Sequence, residues 1–158
     1  MIHLDDLKAL LEALAKEKVD YVLVGSMGMA AQGLVRASRD IDFFVSAERN
    51  NIERLRRALE SVFEGDPNIS SITYEDLAGD YPAIEYVPPH GQYSIDILAR
   101  LGEAYRYEDL EWEELETEGL KVRVATPETL YRMKRNSLRP RDRTDAAWIK
   151  DRFRIEEE

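Results

Sequence analysis

The chain has 158 residues, 44% of them hydrophobic, with 32 acids against 22 lysines and arginines, a net charge of −10 and no cysteine. That length and balance fit one domain with a core of its own. They exclude a disulfide framework and a thiolate metal site, and no apolar run is long enough to cross a bilayer. Such a charge repels phosphate backbones, so sequence-independent nucleic-acid binding is disfavoured. The lack of cysteine suits a reducing cytoplasm, and the charged first segment has no signal-peptide core.

Leu4, Leu7, Leu10, Leu11 and Leu14 recur at helical spacing and predict an amphipathic first helix. "VDYVLVG", Val19 to Gly25, is apolar throughout and reads as a central strand covered on both faces. A short helix is expected from Ser26 to Leu34, then a strand at "DIDFFV". A second amphipathic helix carries Ile52, Leu55, Leu59 and Val62, and "GDPN" marks a turn. Extended pieces are expected at Ile69 to Glu75, Ala83 to Val87 and Gln92 to Ala99, with "PPHG" as a loop between the last two. The acidic run Glu108 to Glu118 fits neither period clearly, while "LKVRVA" reads as a strand. "TPET" opens a helix with Thr126 as N-cap and Pro127 in the first turn. A last helix shows Ala146, Ile149 and Phe153 on one side. The order predicts an α/β (α+β) domain over 1–158, a mixed sheet flanked by helices with a helical appendage at 125–158.

The "DIDFFV" strand carries the chemistry. Residues two apart on a strand share a face, so Asp40 and Asp42 project together while Ile41, Phe43 and Val45 face the core. Paired carboxylates repel, and each is costly to bury alone. A divalent cation resolves both problems, because hard cations take oxygen ligands and keep positions open for phosphates. Asp96 in "YSIDIL" follows the same alternation. If the two strands are neighbours, three carboxylates share one face, and such a set suits metal-assisted phosphoryl or nucleotidyl transfer. Upstream, Gly25 ends a strand and Ser26 opens a helix, a place where free amides can meet a phosphate.

Gly25-Ser26 after an apolar strand, thirteen intervening residues, then Asp40-Ile41-Asp42 with apolar flanks resembles the signature of the DNA polymerase β-like nucleotidyltransferase superfamily. "RASRDID" resembles that superfamily's approach to its aspartates. "LYRMKRNSLRPRDRTDAAWI" is similar to the tail of the small AbiEii-like, abortive-infection branch. The resemblance implies the nucleotidyltransferase fold and a set of roles. Asp40 and Asp42 would bind Mg²⁺, with Mn²⁺ as the alternative. Asp96 would complete the metal site or activate an acceptor hydroxyl. Gly25, Ser26, Arg36, Arg39 and Lys134 would serve the triphosphate of an NTP substrate. The acceptor would be RNA such as a tRNA end, a small molecule or a protein side chain, and a toxin role with an antitoxin partner would follow.

Other constellations carry less. Six bases between Arg132 and Arg143 form an island in an acidic chain, and Arg139, Arg141, Asp142 and Asp145 are candidates for ion pairs that pin the last helix, worth little if exposed. His3 and His90 stand alone, which argues against zinc. Ser26 has no histidine partner for hydrolase chemistry. Met27 and Met29 read as core filler, and Trp112 and Trp148 as anchors of their own elements. A catalytically silent nucleotide- or protein-binding module of the same fold is the rival reading. Retaining carboxylates together without a metal argues against it.

Overall fold

The computed structural model describes residues 4–36, 38–79, 82–89, 93–101, 105–117 and 119–156. His3, and His90 and Gly91 of "PPHG", lie outside the described residues. Helix α1 (Leu4–Lys16) leads into strand β1 (Tyr21–Val24), helix α2 (Gly25–Ala31), strand β2 (Asp40–Val45) and helix α3 (Arg49–Val62). Helix α4 (Tyr74–Ala78), strands β3 (Ala83–Tyr86) and β4 (Ser94–Leu98), and a small hairpin of β5 (Arg100–Leu101) and β6 (Tyr105–Arg106) follow. Strands β7 (Trp112–Thr117) and β8 (Leu120–Ala125) precede helices α5 (Pro127–Arg135) and α6 (Pro140–Phe153).

Six strands form one mixed sheet in the order β3-β4-β2-β1-β8-β7. β1 lies antiparallel to β2, β2 parallel to β4, and β1 parallel to β8. Both edge strands, β3 and β7, run antiparallel to their neighbours. β1 is buried along its whole length, as a central strand with both faces covered must be.

The sheet separates two apolar layers. On one side, Tyr21, Leu23, Ile41, Phe43, Val45, Ile95, Ile97, Val122 and Val124 pack with Leu10, Leu14, Ile52 and Leu59 of α1 and α3. On the other, Val22, Val24 and Phe44 meet Met29, Leu130, Tyr131, Ala146 and Ile149 of α2, α5 and α6. The alternation in β2 therefore has no fully polar face: Asp40 and Asp42 share theirs with Phe44, which is wholly buried. Asn51 ties α3 to the sheet. Its side-chain amide donates to the carbonyls of Ser46 and Asp20, and its oxygen accepts from the Asp20 amide.

Two segments differ from expectation. Ile69 to Glu75 is not extended but folds as a 3₁₀ turn (Pro67–Ser71) and the start of α4. The Asp66 carboxylate accepts from the Asn68 amide and the Thr73 hydroxyl from the Asp76 amide. These caps hold Ile69, Ile72 and Leu77 into the core and override the β-branched composition. Within the acidic run, Trp112–Thr117 forms edge strand β7, with Glu114 opposite Arg123 and Glu116 opposite Lys121, pairs of opposite charge that favour the register. Trp112 and Trp148 do not anchor apolar faces: each is more than a third exposed, and Trp112 lies against the Arg123 guanidinium.

Phe44 fills the layer directly behind the carboxylates. Phe44→Ala should lower stability by about 3–5 kcal/mol, read as a lower urea midpoint; a loss below about 1 kcal/mol would contradict this packing.

Candidate active site

The registry of β2 and β4 sets Asp42 directly beside Asp96, and Asp40 beside Ser94. All four side chains lie on the face covered by α5 and α6, because alternation fixes the face and register partners share it. The Asp42 and Asp96 carboxyls lie within hydrogen-bonding reach of each other. Two carboxylates can share a hydrogen bond only through a proton. Burial, that bond and the charges of Asp96 and Asp40 push Asp42 up to about 7, with Lys134 acting against them. Burial likewise raises Asp96, helped by the charges of Asp40 and Glu85 and opposed by the bond to Asp42. Asp40 is exposed at the start of the strand and accepts a hydrogen bond from the Ser94 hydroxyl at 2.8 Å. Among the described residues, no three of His, Cys, Asp and Glu stand together closely enough to hold a metal ion.

Gly25 explains how the strand-to-helix turn reaches this pair. Its φ is +65°, in the left-handed region that glycine tolerates. A Cβ there would collide with the Asp42 carboxylate. The turn and the acid thus occupy each other's only space. Ser26 is buried in the first turn of α2.

The basic residues are placed less simply. Arg36, in the loop before β2, makes a two-pronged contact with Asp145 at 3.0 and 2.8 Å. Lys134 of α5 reaches the same carboxylate at 2.8 Å and Asp142 at 3.5 Å. Asp145 is 3% exposed and Lys134 8%. Burial alone would raise Asp145, but the hydrogen bonds and charges of Arg36 and Lys134 hold it below the usual carboxylate range. Asp145 does form ion pairs that pin the last helix, as expected, but they are buried and run to Arg36 and Lys134. It turns inward and joins the loop before β2 to α5 and α6. Arg139 contacts Asp142 at 3.9 Å. Arg39 is exposed, with its carbonyl accepting from the Ser94 amide.

Of two acids near the site, Asp145 was read from the sequence only as an ion-pair residue of the last helix, and Glu85 was not singled out. Asp145 carried a signal, since it stands four residues before Ile149 on the apolar side of α6, where an acid is costly without a partner. Glu85 sits opposite Asp96 in β3, a register that no local pattern announces.

Two outcomes test these charges. In the folded chain Asp42 keeps its proton up to about pH 7, whereas the unfolded chain releases it near 3.8. Its contribution to stability is full below the lower value and is lost as pH rises through the upper one. Asp42→Asn cannot ionise, so in EDTA its melting temperature should rise relative to wild type between pH 5 and pH 8; an unchanged difference would mean that Asp42 ionises freely. Asp145→Ala strands Lys134 and should cost about 3–5 kcal/mol in urea unfolding.

Comparisons with known proteins agree with this architecture. The lincosamide antibiotic adenylyltransferase LnuA, solved with lincomycin, superposes with a TM-score of 0.57 at 16% identity, covering 94% of this chain and 97% of that one. A candidate nucleotidyltransferase of Thermotoga maritima gives 0.56 at 19% identity, with 97% and 94% covered. ANT(2'')-Ia, in complex with adenylyl-2''-tobramycin, gives 0.55 at 16%, with 94% and 87% covered. At such identities these likenesses show the nucleotidyltransferase fold. No curated protein sequence matches the chain. Residues 8–156 match the family model of the nucleotidyl transferase AbiEii toxin of type IV toxin–antitoxin systems. The chain belongs to that AbiEii family and is a nucleotidyltransferase.

Proposed function

We propose that this enzyme moves a nucleoside monophosphate from a nucleoside triphosphate to an acceptor hydroxyl, using a divalent cation at its aspartates. The observation that carries the reading is the side-by-side Asp42–Asp96 pair, pressed against the Gly25 turn and within reach of the Lys134 charge. The donor set fits a hard cation: every side chain offered is a carboxylate, and the proton shared by Asp42 and Asp96 stands where a positive charge relieves the pair. Asp40 and Asp42 would hold Mg²⁺ or Mn²⁺. Bound there, the cation would neutralise charge on the reacting phosphates.

The chain's own residues do the rest. Gly25 lets the α2 backbone approach a triphosphate without a side chain in the way, and Ser26 adds a hydroxyl beside it. Lys134 lends a positive charge to the Asp42 side, its position fixed by Asp145. Arg36 shares that anchor, and Arg39 stands at the open end of β2. In the transfer step the acceptor oxygen forms a bond to the α-phosphorus, and the bond from that phosphorus to the bridging oxygen breaks. Pyrophosphate leaves, and the acceptor's proton passes to a carboxylate oxygen of Asp96. Positioning and charge neutralisation carry most of such a reaction.

The reading extends to a toxin working in the cytoplasm, where nucleoside triphosphates are, with a cognate antitoxin. The acceptor is RNA or a hydroxylated small molecule. Incubation with labelled nucleoside triphosphates, Mg²⁺ and candidate acceptors tests it. Wild type should release pyrophosphate and label the acceptor. Asp42→Asn should lose at least about a hundredfold in rate while keeping its circular dichroism spectrum. Equal rates in the two proteins would refute the assignment.

A further inference from the structure

The carboxylate row does not end at Asp96. Across the sheet, the register places Asp42 of β2 beside Asp96 of β4, and Asp96 beside Glu85 of β3. Register partners share a face, so Glu85 projects to the same side. The setting of β3 is fixed from the opposite face. Ile84 packs against the core, and Tyr86 is buried with its hydroxyl donating to Asp66 at 2.6 Å. A slip of one residue would expose both and bury Glu85. Glu85 is exposed on an edge strand, and among the described residues it makes no ion pair.

The row has a direction. At one end stand the Gly25 turn, which touches Asp42, and Lys134, whose charge acts on Asp42. At the other end Glu85 acts on Asp96. A triphosphate held at the first end leaves the second for the acceptor. Neighbouring strands are about 4.8 Å apart, so the Glu85 carboxylate lies one strand spacing beyond the group that takes the acceptor's proton. A negative group on the acceptor would be repelled there, and a hydrogen-bond donor would be held.

Resting on the transfer reading above, we infer that Glu85 is a specificity residue that accepts a hydrogen bond from an uncharged or cationic donor next to the acceptor's attacking hydroxyl. Two sources offer this chemistry: the vicinal hydroxyl of a terminal ribose, and the ammonium of an amino sugar.

The test uses matched pairs. One arm compares an RNA hairpin ending in ribose with the same hairpin ending in a 2′-deoxynucleotide. The other compares tobramycin with its N-acetylated form. Wild type should prefer the donor-bearing member of one pair by about tenfold to a hundredfold in kcat/KM, as a hydrogen bond to a charged group allows. Glu85→Ala should erase that preference, and Glu85→Gln should restore part of it. The KM for the triphosphate and the melting temperature should stay as in wild type, which a structural role would not allow. A preference that survives in Glu85→Ala overturns the assignment. So does turnover of neither acceptor by a protein that binds triphosphate with Mg²⁺ in calorimetry. Absence of triphosphate binding to wild type would instead overturn the transfer reading, and the assignment with it.

Discussion

Two carboxyl groups forced side by side set the terms for the rest of the molecule. Asp42 and Asp96 meet because β2 and β4 are parallel neighbours in fixed register. That register is held from behind by Ile41, Phe43, Ile95 and Ile97, all buried in the layer under α1 and α3. The core cannot release the strands without exposing four large side chains, so the pair cannot separate to relieve its repulsion. It takes a proton instead, which raises Asp42 toward neutrality. The strain of the pair is a local cost, and the apolar layer offsets it.

Compensation comes from α5 and α6. Lys134 would be costly to bury alone, and so would Asp145. Together with Arg36 they form a buried set in which each charge has a partner within 3.0 Å. The set links three segments distant in sequence: the loop before β2, the end of α5 and the first half of α6. Its geometry leaves Lys134 near Asp42 without making it that acid's direct partner. Here a different acid holds it, and its charge is still felt at the site.

Much of this was legible in the sequence. Alternation around the aspartates in "DIDFFV" and "YSIDIL" set Asp42 and Asp96 on the face away from Ile41, Phe43, Ile95 and Ile97, and the Gly25-Ser26 spacing pointed to the fold. Thr126 caps α5 as its position predicts, its hydroxyl accepting from the Thr129 amide. Long-range pairing was not legible. Nothing local tells β3 to sit beside β4, so no pattern in the sequence marks Glu85. Arg36 and Lys134 read as free phosphate ligands because Asp145, 109 and 11 residues away from them, has no local tie to either. Ile69 to Glu75 misled for another reason. β-branched residues favour strands only where a sheet can receive them, and here two side-chain caps closed helical turns first.

The distribution of charge also bears on what can approach. With a net charge of −10, the chain repels polyanions at long range, yet its bases are concentrated after Arg132. Some of them serve the fold: Lys134 and Arg139 contact acids of α6. Arg132 and Arg135 are exposed on α5. Lys134 turns inward to Asp145, one residue along from Arg135, and a helix turns by about 100° per residue. An extended anionic acceptor would therefore have to touch the flank of α5 and present an uncharged end to the sheet, because the row from Asp42 to Glu85 admits no phosphate without a cation between. A compact cationic acceptor meets no such division, and the same row would draw it in directly.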